Sequence, residues 1–211
     1  MTGTLILTIL HSMRENLRPY TNQLSNPALY AACLKLDDYP NFWTHPGSVF
    51  SHHGYVGGLW IHTKEVVDFA LHQAQQFPAV NKDVLIAAAL WHDLAKVWDY
   101  KLALYYAHQY NELPKHYVLK EESFQTWKKV YIADSDYKNQ IHHITGSTAE
   151  FTHHALNCGV DRKIINQITH CIISHHGRKD WGSIKEPQTL ESLILHHADN
   201  LSAKFGPRKD K

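Results

Sequence analysis

All-α, with a small irregular or β-hairpin insertion, is the fold class this sequence predicts, and three observations carry it. Apolar residues recur at three- and four-residue spacing through most of the chain. The segments so marked start beside Asn, Asp, Ser or Pro and stop at Gly or Pro. A strand-like run, Trp127–Ala133 (Trp-Lys-Lys-Val-Tyr-Ile-Ala), stands within a stretch of different texture.

Taken in order, Leu5, Ile6, Ile9, Leu10, Met13 and Leu17 predict an amphipathic helix ending before Pro19. Pro27 opens a short helix to about Leu36. Residues 38–58, with Pro40, Pro46, Gly47, Gly54, Gly57 and Gly58, read as a loop. A helix follows from about Gly58 to Phe77, with Leu59, His62, Val66, Phe69 and Ala70 on one stripe, and Pro78 stops it. Asn81 caps the next helix, to about Val97, which is apolar enough (Val84, Leu85, Ala88, Ala89, Trp91) to be buried nearly all round. Residues 98–140, rich in Tyr, Trp and Lys, read as an insertion. Ser147 and Glu150 have capping-box spacing at the start of a helix to about Asn157, which Gly159 ends. Asp161 caps a helix carrying Ile164, Ile168, Cys171, Ile172 and His175 on one stripe. A last helix covers about Pro187–Lys204, before Gly206 and Pro207. The whole, residues 1–211, fits a single domain: an N-terminal helical extension over 1–50, a core, and the 98–140 insertion.

With 44% apolar residues there is material for a core, and 19% charged residues with a formal charge of +1 exclude a strongly basic duplex binder. A nucleotide or single-stranded substrate stays open. Cys33, Cys158 and Cys171 have no CxxC spacing and point to a reducing compartment. The apolar stretch Thr4–Leu10 has no basic residue before it and falls far short of the ~20 residues a membrane span needs. The expectation is a cytoplasmic protein without a membrane partner. No GxxxxGK[ST] or GxGxxG loop is present, which speaks against phosphate cradling by glycines.

The anomaly is histidine, with 18 copies. His92-Asp93 lies in the most apolar helix, where a lone carboxylate is costly unless paired or metal-bound. Lys96, three residues after Asp93, could make a simple ion pair or a phosphate contact. His62 and His175 sit on core stripes, Asp199 follows Leu193, Ile194 and Leu195, and His142-His143 precedes a helix. One polar residue on a core stripe is a packing accident; His and Asp pointing inward from five segments make a ligand set. Imidazole and carboxylate without thiolate suit a hard-to-borderline divalent ion.

In this order (His62, His92-Asp93, His142 or His143, His175-His176, Asp199) the chain resembles the HD-domain metal-dependent phosphohydrolase superfamily. It is most similar to the HD domain of YhaM-type 3′–5′ exonucleases. The likeness rests on Ser51-His52-His53-Gly54-Tyr55-Val56-Gly57-Gly58-Leu59 with His62-Thr63, on His92-Asp93-Leu94-Ala95-Lys96 and on Ser174-His175-His176-Gly177. The segment His196-His197-Ala198-Asp199-Asn200-Leu201-Ser202-Ala203-Lys204 completes it. It covers about residues 50–98 and 140–205. The first motif is also similar to that of some conjugative relaxases. YhaM-type enzymes carry an N-terminal OB domain, and residues 1–50 show no β-barrel pattern.

The resemblance implies an HD-type helical bundle and two divalent ions (Mn²⁺, Fe²⁺, Ni²⁺ or Mg²⁺). His62, His92 and Asp199 would surround one, His142 or His143 with His175 or His176 the other, and Asp93 would bridge them. Water whose pKa falls from about 15.7 to about 7 would attack phosphorus. Lys96 would hold a phosphate oxygen, His53 would stand near the leaving group and Lys204 would touch substrate. The implied function is hydrolysis of phosphate esters of nucleotides or nucleic-acid 3′ ends. The alternatives are a regulatory HD-fold binding module in a larger complex and an HD-type di-iron oxygenase.

Overall fold

The computed structural model describes residues 15–123 and 126–206. Of the expected N-terminal helix, residues up to 14 lie outside that range, as does the tail from Pro207. Residues 15–21 are helical, past Pro19. The proline removes a single backbone donor, while Leu17 and Tyr20 are buried and Thr21 Oγ donates to the Leu17 carbonyl at 3.2 Å, so burial outweighs the break.

The core is a cluster of helices. Helix α1 (Pro27–Cys33) is capped by Asn26 and runs into a 3-10 turn, Leu34–Asp38, with a second at Pro40–Trp43, where a loop was expected. Helix α2 (Gly58–Ala74) packs on the last helix, α8 (Leu190–Phe205), and on α3 (Lys82–Trp91). Asn81 Oδ1 accepts from Val84 N at 3.2 Å and caps α3, in which every residue from Val84 to Trp91 is buried. Two further helices, α6 (His143–Asn157) and α7 (Arg162–Ser174), pack on each other, and α3 packs on α7. Leu59, Val66, Leu85, Leu90, Trp91, Phe151, Ile168 and Leu195 belong to one apolar core. Phe69, expected on the buried stripe, is 37% exposed: it lies at the edge, and Val67 takes the inward place.

Three local expectations are corrected. The buried helix ends at Trp91 rather than near Val97; His92–Ala95 form a turn, and a four-residue helix, α4 (Lys96–Asp99), follows. In that turn Leu94 N, Lys96 N and Val97 N donate to carbonyls three residues back, and Ala95 N donates to Ser147 Oγ at 3.0 Å. Ser147 therefore satisfies the turn instead of capping α6, which begins at His143, and Glu150 bonds the Tyr39 hydroxyl.

The insertion is a three-stranded antiparallel sheet, β1 (Tyr100–Tyr106), β2 (Val118–Ser123) and β3 (Trp127–Ala133), in the order β1-β3-β2. Tyr131 faces Leu102 and Val118 across the sheet and packs with Val49 and Tyr100 in a small second core. Helix α5 (Ser135–Gln140) leads from β3 back to α6. Among the described residues no helix is long and apolar enough to cross a membrane.

Candidate metal centre

Five segments deliver imidazoles and carboxylates to one buried point. Helix α2 brings His62, the turn after α3 brings His92 and Asp93, and the start of α6 brings His143. The end of α7 brings His175 and His176, and α8 brings Asp199. Their ligand atoms fall into two sets, His62, His92, Asp93 and Asp199, and His143, His175 and His176; within each set all lie within 4.8 Å of one another. The carboxylate of Asp93 faces both. Its Oδ2 is 3.2 Å from His62 Nε2 and 3.3 Å from His92 Nε2, while Oδ1 is 3.5 Å from His143 Nε2 and 3.6 Å from His175 Nε2. Asp199 Oδ1 closes the first set at 3.2 Å from His62 Nε2, and His176 Nε2 closes the second at 3.4 Å from His143 Nε2.

Every imidazole of the two sets turns Nε2 inward because Nδ1 is occupied. His92 Nδ1 donates to the Ala89 carbonyl (2.8 Å), His175 Nδ1 to Ile172 O (2.7 Å) and His176 Nδ1 to Trp181 O (2.7 Å). His143 Nδ1 is 3.1 Å from Asp99 Oδ2. His62 Nδ1 meets Ser202 Oγ at 2.8 Å, and that hydroxyl donates to Glu65 Oε2, also at 2.8 Å. An acceptor on the outer nitrogen fixes the tautomer whose inner nitrogen bears a lone pair, the state a metal requires.

Burial alone would raise the Asp93 carboxyl, but the Lys96 charge, then His92 and the nearby His62 ring, hold it well below the usual range. Asp199 is likewise held low: His62 outweighs its burial. Burial keeps His143 and His175 neutral, far below the ordinary imidazole pKa. His62 goes the other way: burial opposes its charge, but Asp199 and Asp93 raise it. Lys96 Nζ is 2.6 Å from Asp93 Oδ2, yet neither Asp93 oxygen nor His175 Nε2 has a well-formed hydrogen bond. A buried carboxylate and a buried ring nitrogen left this way are costly inside a protein. Divalent cations would satisfy all three atoms, so the donor set fits them.

Not every expected residue joins the two sets. His142 lies outside them: its φ of 65° turns its ring aside, 4.1 Å from the His143 ring, so of the pair it is His143 whose Nε2 faces Asp93. His53, expected near the leaving group, is fully buried, because a φ of 51° points it inward to Glu65 Oε2 at 3.1 Å. The neighbouring His52 lines the cleft instead, with Lys96, His176, Trp181, Asp199 and Asn200. Lys204 is exposed and lines a separate groove with His196, His197, Leu201 and Phe205. It lies outside the cleft because α8 carries it more than a turn past Asp199. Cys33, Cys158 and Cys171 are free thiols outside the ligand sets. Sequence reasoning missed Asp99, Ser202, Glu65, His52 and Trp181. For His52 the His52-His53 pair was the available signal; the other four carry none that spacing could expose.

The chain belongs to the HD domain family, which it matches over residues 59–204. It is 29% identical over 197 residues to the 3′-5′ exoribonuclease YhaM of Bacillus pumilus (strain SAFR-032), covering 92% of this chain and 54% of that protein. The protein of the same name from Bacillus velezensis matches equally, and that of Bacillus subtilis (strain 168) is 27% identical over the same lengths. The chain thus spans about half the length of these curated relatives. No solved structure matches it at a significant level.

Proposed function

We propose that the protein is a cytoplasmic, metal-dependent hydrolase of phosphoric esters, acting on nucleotides or on single-stranded nucleic-acid 3′ ends, with residues 1–211 forming one HD-type domain. The observation that carries the reading is Asp93: one buried carboxylate whose two oxygens each face a different set of pinned imidazoles. That geometry suits two divalent ions sharing a bridge. His62, His92, Asp93 and Asp199 would hold one, and Asp93, His143, His175 and His176 the other; Mn²⁺, Fe²⁺, Ni²⁺ and Mg²⁺ are the candidates. Bound, such ions activate water and polarise a phosphoryl oxygen.

The chain's own groups do the rest. Lys96, at the cleft wall, offers a point charge to a phosphate oxygen. Burial, then the Lys96 charge, bring His52 down to about 3, so it enters the cleft as a neutral imidazole able to exchange hydrogen bonds with a leaving oxygen. His53 acts as a positioning residue: with Glu65 and Ser202 it fixes the His62 ring from behind. The names of the curated relatives favour a nucleic-acid end as substrate.

The test combines elemental analysis of purified protein with turnover of bis(p-nitrophenyl) phosphate, nucleotides and short oligonucleotides under each metal, in anaerobic buffer. Expected are bound metal and anaerobic hydrolysis, both lost in Asp93→Ala. Bound metal without turnover under any ion refutes the enzyme and favours a binding module; turnover only with oxygen favours an oxygenase.

A further inference from the structure

Beside the metal cleft stands a large aromatic side chain with no interior role. Trp181 is 54% exposed, although an indole is among the side chains with most to gain from burial. It lies in the turn after His176, and that turn is stiff. Trp181 N donates to Arg178 O (3.0 Å), Gly182 N to Lys179 O (2.9 Å) and Ser183 N to Arg178 O (3.1 Å), and Gly182 at φ 97° reverses the chain. The Trp181 carbonyl accepts the Nδ1 proton of His176, so the ring is tied through one residue to the second ligand set. The Arg178 guanidinium lies over the ring, 5.4 Å from its centroid, so one face of the indole carries a cation.

The cleft that Trp181 borders is small, about 240 Å³, whereas sites for organic ligands run to about 300–1,000 Å³. A nucleotide-sized phosphate ester seated beside Lys96 and Asp199 would therefore extend beyond the cleft. Two features border the way out: Trp181 itself and a groove of about 440 Å³ along α8, which shares Asn200 with the cleft. The Trp181 ring lies 6.3 Å from the ring of His196, a residue of that groove.

We propose that Trp181 is a stacking platform for a base of the substrate, so that the cleft selects phosphate esters bearing a nucleobase over those that lack one. The inference rests on the hydrolytic reading above and adds the specificity determinant. Stacking uses the flat face that every base has, so selection is for the presence of a base, not for its identity.

The experiment compares an oligonucleotide with the same chain carrying abasic residues at its 3′ end, on full-length protein and on Trp181→Ala and Trp181→Phe. Two readouts are taken: KM and kcat with Mn²⁺, and binding of the labelled strands by fluorescence anisotropy with chelator present. Unsubstituted protein should prefer the base-bearing strand; Trp181→Ala should lose on the order of tenfold in that preference, through KM rather than kcat. Trp181→Phe should recover much of it. An equal fall on both strands, or no fall on either, overturns the stacking role. Hydrolysis of neither strand by unsubstituted protein overturns the enzymatic reading instead, while the anisotropy comparison still decides whether Trp181 holds a base.

Discussion

Replacing Lys96 with Met probes the metal centre without removing any ligand. The Lys96 and Asp93 side chains are 11% and 1% exposed and 2.6 Å apart. Deleting one partner of a buried pair costs about 3–5 kcal/mol, because the other charge stays behind. Here His62, whose pKa the two carboxylates raise and whose Nε2 lies 3.2 Å from the same oxygen, can take up a proton in its place, which argues for the lower end, about 3 kcal/mol. At about 2–4 °C per kcal/mol for a chain of this size, the chelated variant should melt about 6–12 °C below the parent.

With saturating Mn²⁺ the balance changes. A divalent ion beside Asp93 neutralises the carboxylate that Lys96 neutralised, so the penalty should shrink to about 1 kcal/mol, within the range of exposed pairs. The metal adds about 2.7 kcal/mol to the parent at a hundredfold excess over its Kd, and at the same concentration about 2 kcal/mol more to the variant, whose site binds it correspondingly more tightly. Urea unfolding with and without chelator, on both proteins, measures the four stabilities. A penalty that is the same in Mn²⁺ and in chelator would mean that no cation shares Asp93, and the reasoning fails at its root.

Four further outcomes are expected. Asp99→Asn should weaken metal binding about 10–100-fold by titration calorimetry, since Asp99 Oδ2 holds His143 Nδ1 at 3.1 Å; unchanged affinity would deny it that role. Ser202→Ala leaves the buried His62 Nδ1 unpartnered and should cost about 1–3 kcal/mol in urea unfolding; a cost confined to chelated protein would show that metal, not Ser202, orients the ring. Stability without metal should fall between pH 7.5 and 5.5. Burial lowers His52, His53, His143, His175 and His176, so the unfolded chain binds more protons there, at about 1.4 kcal/mol per imidazole one unit below its ordinary value. His62, raised, and Asp99, raised to about 6 by burial, run the opposite way, and a net loss of at least about 3 kcal/mol remains; a flat profile contradicts the sign. Gly146→Ala would drive a methyl into the Tyr137 hydroxyl and to 2.7 Å of Ala95 Cβ, so chemical denaturation should show a loss of about 1–3 kcal/mol, with no loss showing that the contact yields freely.

The helices were legible because burial imposes a period. Leu59, Val66 and Ala70 line α2 as the spacing predicts, and Asn81 and Asp161 cap α3 and α7 with their own side-chain oxygens. The two clusters of His and Asp were legible for the same reason: His62, Asp93 and His175 are polar residues on apolar faces. What failed was backbone outside the periodic segments. Nothing local says that φ at His53 is 51°, which sends His53 to Glu65 and leaves His52 in the cleft. Asp99 looked like an insertion residue, and Trp181 stands in a stretch, 177–187, with no apolar period to read. Their roles depend on what lies opposite, which spacing does not encode.

Ser147 shows how a correct local signal can serve a distant need. Ser-x-x-Glu is a capping pattern, and in isolation Ser147 would satisfy a helix terminus. Instead its hydroxyl accepts from Ala95 N, the donor released when α3 stops at Trp91. In the His92–Ala95 turn His92 Nε2 stands 3.3 Å from the carboxylate of the next residue. Gly146, beside Ser147, lets α6 lie close against that same turn, because a side chain there would strike Ala95. His143, one turn earlier on α6, is thereby held with Nε2 3.5 Å from the second Asp93 oxygen. The place of Asp93 between the two clusters therefore leans on a serine and a glycine that belong to neither.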